Sequence, residues 1–176
     1  MQNTNTWEKY SEVQLKDCEK FCKGYMDFLS TCKTERECVS KIVSDIEEAG
    51  YLPLDEKIKK HVKLKAGDKV YAVNMDKAVV MFNIGEESIE NGLNILGAHI
   101  DSPRMDIKQN PLYEEGGFAY LDTHYYGGIK KYQWVAMPLA LHGVVIKKNG
   151  DRVNISIGES TDDPVFFVSD LLIHLA

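Results

Sequence analysis

The spacing of apolar residues changes along this chain, and that change limits its possible folds more than any other feature. From Trp7 to about Ser30 the positions Tyr10, Val13, Cys18, Phe21, Cys22, Tyr25, Phe28 and Leu29 recur at helical spacing, which predicts a first helix. A second is bounded at both ends. Thr34 can cap it, and Glu37 stands three residues on, at the spacing of a capping box. Cys38, Ile42, Val43, Ile46 and Ala49 then follow on one stripe, and Gly50 suits the left-handed position past a helix C-terminus. Tyr51-Leu52-Pro53 leaves the helix, since the residue before a proline is driven away from helical geometry.

Beyond that point the pattern turns to β. Lys69 to Val73 and Ala78 to Ile84 are two apolar runs separated by Asn74-Met75-Asp76-Lys77, which reads as a hairpin. Gly85 to Gly92 is a polar loop, and Glu86 and Glu87 within it read as solvated acids. Asn94 to Ala98 is nearly continuous in apolar residues, the pattern of a strand covered on both faces. After Pro103 come short β-prone pieces punctuated by Asn110-Pro111, Gly116-Gly117 and Gly127-Gly128. Two more strands are expected at Leu139 to Lys147 and Arg152 to Ile157, joined by a turn over residues 148–151. No helix signal occurs between about residues 104 and 165. The order predicts an α/β domain over residues 1–103 and the start of a β-rich domain over 104–176.

Composition excludes several classes of function. With 44% hydrophobic and 27% charged residues the chain is globular rather than disordered. A net charge of -6 repels a phosphate backbone on average. The local cluster Lys57, Lys59, Lys60, Lys63 and Lys65 reads as a solvated face, with His61 exposed within it. No nucleic-acid partner is expected. No apolar run reaches the roughly 18 residues of a membrane-spanning helix, and residues 1–8 lack a signal core, so the expected location is the cytoplasm. Cys18, Cys22, Cys32 and Cys38 lack the paired Cys-x-x-Cys spacing of a zinc knuckle. They read as structural thiols, with Cys18 and Cys22 packed as small apolar side chains. The apolar run from Val165 to Leu175 stops at Ala176, where chain ends usually fray into polar residues, so the chain is expected to continue.

The chemistry concentrates at Gly97-Ala98-His99-Ile100-Asp101-Ser102-Pro103. A histidine and an aspartate two apart on extended chain leave on the same face. At the end of a central strand they would open into the crevice where α/β proteins hold ligands. A metal-bound histidine is commonly steadied by a carboxylate on its other ring nitrogen. By itself His-x-Asp is more often a surface pair or a satisfied strand-end histidine, so the spacing leaves both readings open. His124 and His142 sit in β segments without an acid at ligand spacing and are assigned to structure.

The surrounding string, "GAHIDSP", resembles the first metal-binding motif of the aspartyl aminopeptidase and vacuolar aminopeptidase I family. Tyr126-Gly127-Gly128 followed by Trp134, the run Leu139 to Val145 ("LALHGVV"), and Leu171 to Leu175 ("LLIHL") resemble later segments of that family in the same order. The resemblance covers roughly residues 93 to 176 and implies a dizinc exopeptidase. It implies His99 as a zinc ligand and Asp101 as the catalytic-site carboxylate that supports it. It also implies a β-rich dimerisation domain inserted into the catalytic domain. His174 is implied to reach a neighbouring subunit's active site, as a catalytic and substrate-binding group. Two zinc ions per complete subunit, peptide substrates, and dimers that build a larger hollow homo-oligomer follow from the same resemblance. The remaining ligands and the glutamate base would lie after Ala176, so the chain by itself is expected to be inactive. Two rivals stay open: a non-catalytic binding or assembly module on the same scaffold, and an unrelated mononuclear metal hydrolase using His99.

Overall fold

The computed structural model describes residues 5–170 and 173–174. It divides into two compact units, Met1–Ile100 and Asp101–Ala176.

The first unit opens with a 3-10 turn, Thr6–Lys9, and helix α1, Glu12–Thr31. Ser11 caps α1 in a reciprocal capping box with Gln14, which sequence reading did not single out. Helix α2, Glu35–Glu48, starts at the expected box. The Thr34 hydroxyl accepts from the Glu37 N–H, and the Glu37 carboxylate accepts from the Thr34 N–H at 2.9 Å. Two of the donors that every helix start leaves unpaired are thereby satisfied. Gly50 takes the expected left-handed conformation at φ +87°. Two elements had no sequence signal. Leu52–Pro53 forms a short strand, β1, and Leu54–Lys59 forms helix α3, for which Pro53 stands at the N-terminal cap.

The expected hairpin is present as β2, Lys69–Asn74, and β3, Ala78–Asn83. Met75 and Asp76 both have positive φ, 51° and 56°, which gives the turn the hand that matches strand twist. β1 adds to β2 in parallel, so the sheet order is β1-β2-β3. α2 packs against β3 and α3 against β2. Val70 on the central strand is fully buried, and burial of such a side chain contributes about 2 kcal/mol. Cys32, Cys38, Val39 and Tyr71 complete the buried set. The Tyr71 hydroxyl donates to the Glu47 carboxylate at 2.5 Å, tying β2 to α2.

Two expectations for this unit are corrected. Asn94 to Ala98 forms no strand, and Leu96 is 100% exposed. A strand covered on both faces needs neighbours to hydrogen-bond it, and this sheet ends at β3. Cys22 does not pack as a small apolar residue. It is exposed on α1, while Cys18 is half-buried.

In the second unit the pieces after Pro103 merge into one long hairpin. Strand β4, Arg104–Glu115, pairs antiparallel with β5, Phe118–Tyr126, across Gly116-Gly117. Both turn glycines have positive φ, 61° and 83°, a conformation costly for other residues. The register shifts between Ile107 and Leu112, and this irregularity accommodates Pro111, which has no N–H for a ladder. Tyr113 and Tyr120 stack directly across the hairpin at 5.1 Å. The remaining expected strands form a second hairpin, β6, Leu141–Ile146, with β7, Arg152–Ile157. Leu139 bridges to Phe166 and Val135 to Val168. Among the described residues of this unit none is fully buried. Of the stretch Leu171 to Leu175, only Ile173 and His174 are described, in an exposed turn; the expectation for Leu171, Leu172 and Leu175 lies outside the described residues.

Candidate metal site

His99 is the next-to-last residue of the first unit, which ends at Ile100. It is exposed, on a stretch (residues 92–100) that belongs to no helix or strand. The backbone next to it is held from α2, because the Cys38 thiol donates to the Ile100 carbonyl at 3.6 Å. That range is normal for a sulfur donor, whose long bonds and diffuse charge make a weaker contact than an amide does.

Asp101 opens the second unit, and its surroundings follow from strand register. β4 starts directly after Pro103, and its first residue, Arg104, stands opposite Tyr126, the last residue of β5. That pairing brings Tyr126 back beside Asp101. The Tyr126 hydroxyl donates to Asp101 Oδ2 at 2.9 Å. The Arg104 guanidinium lies 4.1 Å from the centre of the Tyr126 ring, a cation–π contact. Arg104 Nε in turn donates to Asp106 Oδ1 at 2.7 Å. Gly127, at φ +71°, packs against Pro103, with an added Cβ meeting it at 3.6 Å. Asp101 and Pro103 of the one string and Tyr126 and Gly127 of the other thus share one hairpin end within the second unit. Sequence reasoning noted Tyr126 only as part of a Tyr-Gly-Gly segment. Its role as the partner of Asp101 had no local signal, since 25 residues separate the two.

The donor chemistry suits zinc, which takes neutral imidazole nitrogen and carboxylate oxygen. The set is nevertheless partial. Among the described residues no three His, Cys, Asp or Glu side chains converge as a metal site, whereas structural and catalytic zinc take at least three protein ligands. The other histidines lie elsewhere. His61 is exposed, and His124 Nδ1 approaches the Tyr125 carbonyl at 3.2 Å. His142 does have an acid, which its sequence neighbourhood did not show. Glu159, 17 residues away, lies 2.8 Å from its Nε2. His174 is exposed in the turn at residues 173–174. Glu86 and Glu87 are exposed, as expected, with Glu87 accepting from the Asn91 side chain at 2.9 Å.

Comparison with known proteins places the chain in a family. A family model described as aminopeptidase I zinc metalloprotease (M18) matches residues 28–176. A probable M18 family aminopeptidase 1 of Clostridium acetobutylicum is 55% identical over 172 residues, which cover 98% of this chain and 37% of that protein. A protein of the same description from Thermotoga maritima is 44% identical over 179 residues, covering 99% and 37%. Among solved structures, aminopeptidase I from Borrelia burgdorferi B31 superposes with a TM-score of 0.90 at 39% identity, covering 97% of this chain and 41% of that one. Aminopeptidase I from C. acetobutylicum superposes at 0.83 with 54% identity, covering 98% and 38%. The chain spans about 37% of the length of the curated relatives it matches.

Proposed function

This chain belongs to the aminopeptidase I zinc metalloprotease family (M18), and from that premise we propose that it is part of a zinc-dependent aminopeptidase. The reaction would be removal of N-terminal residues from peptides. The observation that carries the reading is the family match over residues 28–176, which includes the His99-Ile100-Asp101-Ser102-Pro103 string and its Tyr126 partner.

In this reading His99 offers its imidazole to a zinc ion and Asp101 is the carboxylate that supports it. The metal supplies Lewis-acid polarisation of the scissile carbonyl and an acidified water. Tyr126 fixes one oxygen of Asp101 by its 2.9 Å hydrogen bond, which limits the carboxylate's rotation. Arg104 in turn holds the Tyr126 ring from its face. A pair of zinc ions per complete subunit would need ligands beyond those described, so the 176-residue chain alone is expected to be inactive. We further assign residues 1–103 to the catalytic α/β domain and 104–176 to the start of an inserted dimerisation domain. Self-association into dimers and a larger homo-oligomer, cytoplasmic location, and a substrate-contacting role for His174 belong to the same proposal.

The test is a rate measurement on the protein at its natural length, with chromogenic aminoacyl substrates. Activity should vanish on zinc chelation, return on adding zinc, and fall at least a hundredfold in His99→Ala, in line with loss of a metal ligand rather than of a partner to one. Full activity in His99→Ala would overturn the assignment. Absence of any zinc-dependent hydrolysis in the unaltered protein would favour the binding or assembly module.

A further inference from the structure

We propose that residues 57–65 form a docking surface for an anionic lipid bilayer, which would hold the protein against a membrane without crossing it. The inference is independent of the metal reading and of peptide hydrolysis.

The segment Lys57-Ile58-Lys59-Lys60-His61-Val62-Lys63-Leu64-Lys65 carries five lysines and no acid, in a chain whose net charge is -6. A plain solvated face would turn its lysines out and its aliphatic side chains in. The structure shows a different arrangement. On α3, Lys57 is half-buried while Ile58 is 60% exposed. Past the helix, Val62 is 46% and Leu64 37% exposed, and Lys63 and Lys65 are exposed with them. A single exposed apolar residue is ordinary. Three within seven residues, each next to a lysine, match the mixed basic and apolar make-up of a membrane-surface segment.

Little nearby charge cancels these lysines. Lys60 pairs with Glu56 at 3.3 Å, and the Asp68 carboxylate accepts from the Lys65 N–H at 3.0 Å. Lys57, Lys59, Lys63 and Lys65 form no ion pair among the described residues. The stretch is also held in place at both ends. α3 packs against β2, and its C-terminus is closed by the His61 N–H on the Ile58 carbonyl and the Val62 N–H on the Lys57 carbonyl, each at 3.0 Å. Beyond Lys65, the Gly67 N–H donates to the Ile84 carbonyl at 2.8 Å. A surface fixed before it meets its partner loses less conformational freedom on binding.

The kind of partner follows from the side chains present. The segment has no arginine, whose planar fork suits single phosphates, and no Tyr, Phe or Trp on which nucleobases could stack. Lysine beside Ile, Val and Leu suits lipid: the ammonium groups meet anionic headgroups, and the aliphatic side chains enter the boundary with the acyl chains.

The experiment is co-sedimentation of the protein at its natural length with two kinds of vesicle, phosphatidylcholine alone and phosphatidylcholine mixed with phosphatidylglycerol. Binding should require phosphatidylglycerol and weaken as salt rises. Lys59→Gln with Lys63→Gln should weaken it about thirtyfold, which is about fivefold for each lysine. Ile58→Ser should weaken it by a factor that is the same at low and high salt, because apolar burial is not screened. All three side chains are exposed, so the melting temperature should not move. Equal binding to both vesicles overturns the inference, as does a lysine double variant that binds like the unaltered protein. Binding that Ile58→Ser leaves unchanged would make the lysines a site for any polyanion, and that result overturns the bilayer assignment too.

Discussion

At the scale of single residues, Tyr71 shows how one hydrogen bond couples an element contact to pH. Its hydroxyl donates to Glu47, and this bond, followed by burial, raises it from 10.0 to about 12. The protonated phenol is the form the fold prefers. Its contribution is therefore complete below pH 10, and it is lost as pH rises from there through about 12, where the unfolded chain has already given up the proton. Tyr71→Phe removes that titration. Urea unfolding across this range should show a steeper alkaline loss of stability in the unaltered protein than in Tyr71→Phe; parallel curves would show that the bond carries no linkage. Cys32, raised from 9.0 to about 11 by burial, adds a loss of the same sign starting about one pH unit lower.

At the scale of elements, local chemistry and local geometry agree wherever the sequence could be read. Thr34 and Glu37 announced the start of α2 because a capping box is a contact between residues three apart. Thr34→Ala should cost about 1 kcal/mol of local helix stability. Hydrogen exchange should read it as faster amide exchange in the first turn of α2, with β4 and β5 unaffected; unchanged protection would mean that tertiary packing alone holds this end. The β2–β3 turn and the β6–β7 hairpin were legible for the same reason. α3 and β1 were not. Leu52–Pro53 becomes a strand only because β2 lies alongside it, in parallel and 18 residues away. The Asn94–Ala98 stretch failed in the opposite direction. Its apolar composition met no strand to pair with among the described residues, and Ile95 and Leu96 are 82% and 100% exposed.

At the scale of the whole molecule, burial is the scarce quantity. The chain exposes 15132 Å², while two separately folded units of half its mass would together expose about 10,400 Å². Every fully buried side chain described lies in the first unit, and the second unit consists of two-stranded pairings. Such pairings are marginal in water without a covered face. Phe21, Leu96, Phe118 and Phe167 are each more than two-thirds exposed, and apolar surface of that extent seeks cover. The 176-residue chain on its own should therefore bind a hydrophobic dye strongly and self-associate in sedimentation velocity. A dye-silent monomer would show that this surface is covered in solution. Among the described residues no helix is long and apolar enough to cross a membrane.

The sequence by itself determined the helices α1 and α2 and both expected hairpins. Each of these rests on periodicity, capping or turn chemistry within a few residues. The family, too, was legible, because the ordered strings from Gly97 to Val145 are specific as a set. Tertiary structure alone decided which side chains meet. The Arg104↔Tyr126 register gave Asp101 its hydroxyl partner, the seating of α2 put the Cys38 thiol on the Ile100 carbonyl, and the β6–β7 hairpin set Glu159 against His142. These contacts span 62, 25 and 17 positions, distances over which no local pattern fixes a neighbour. Only the closed register of strands and the packing of helix on sheet can set them.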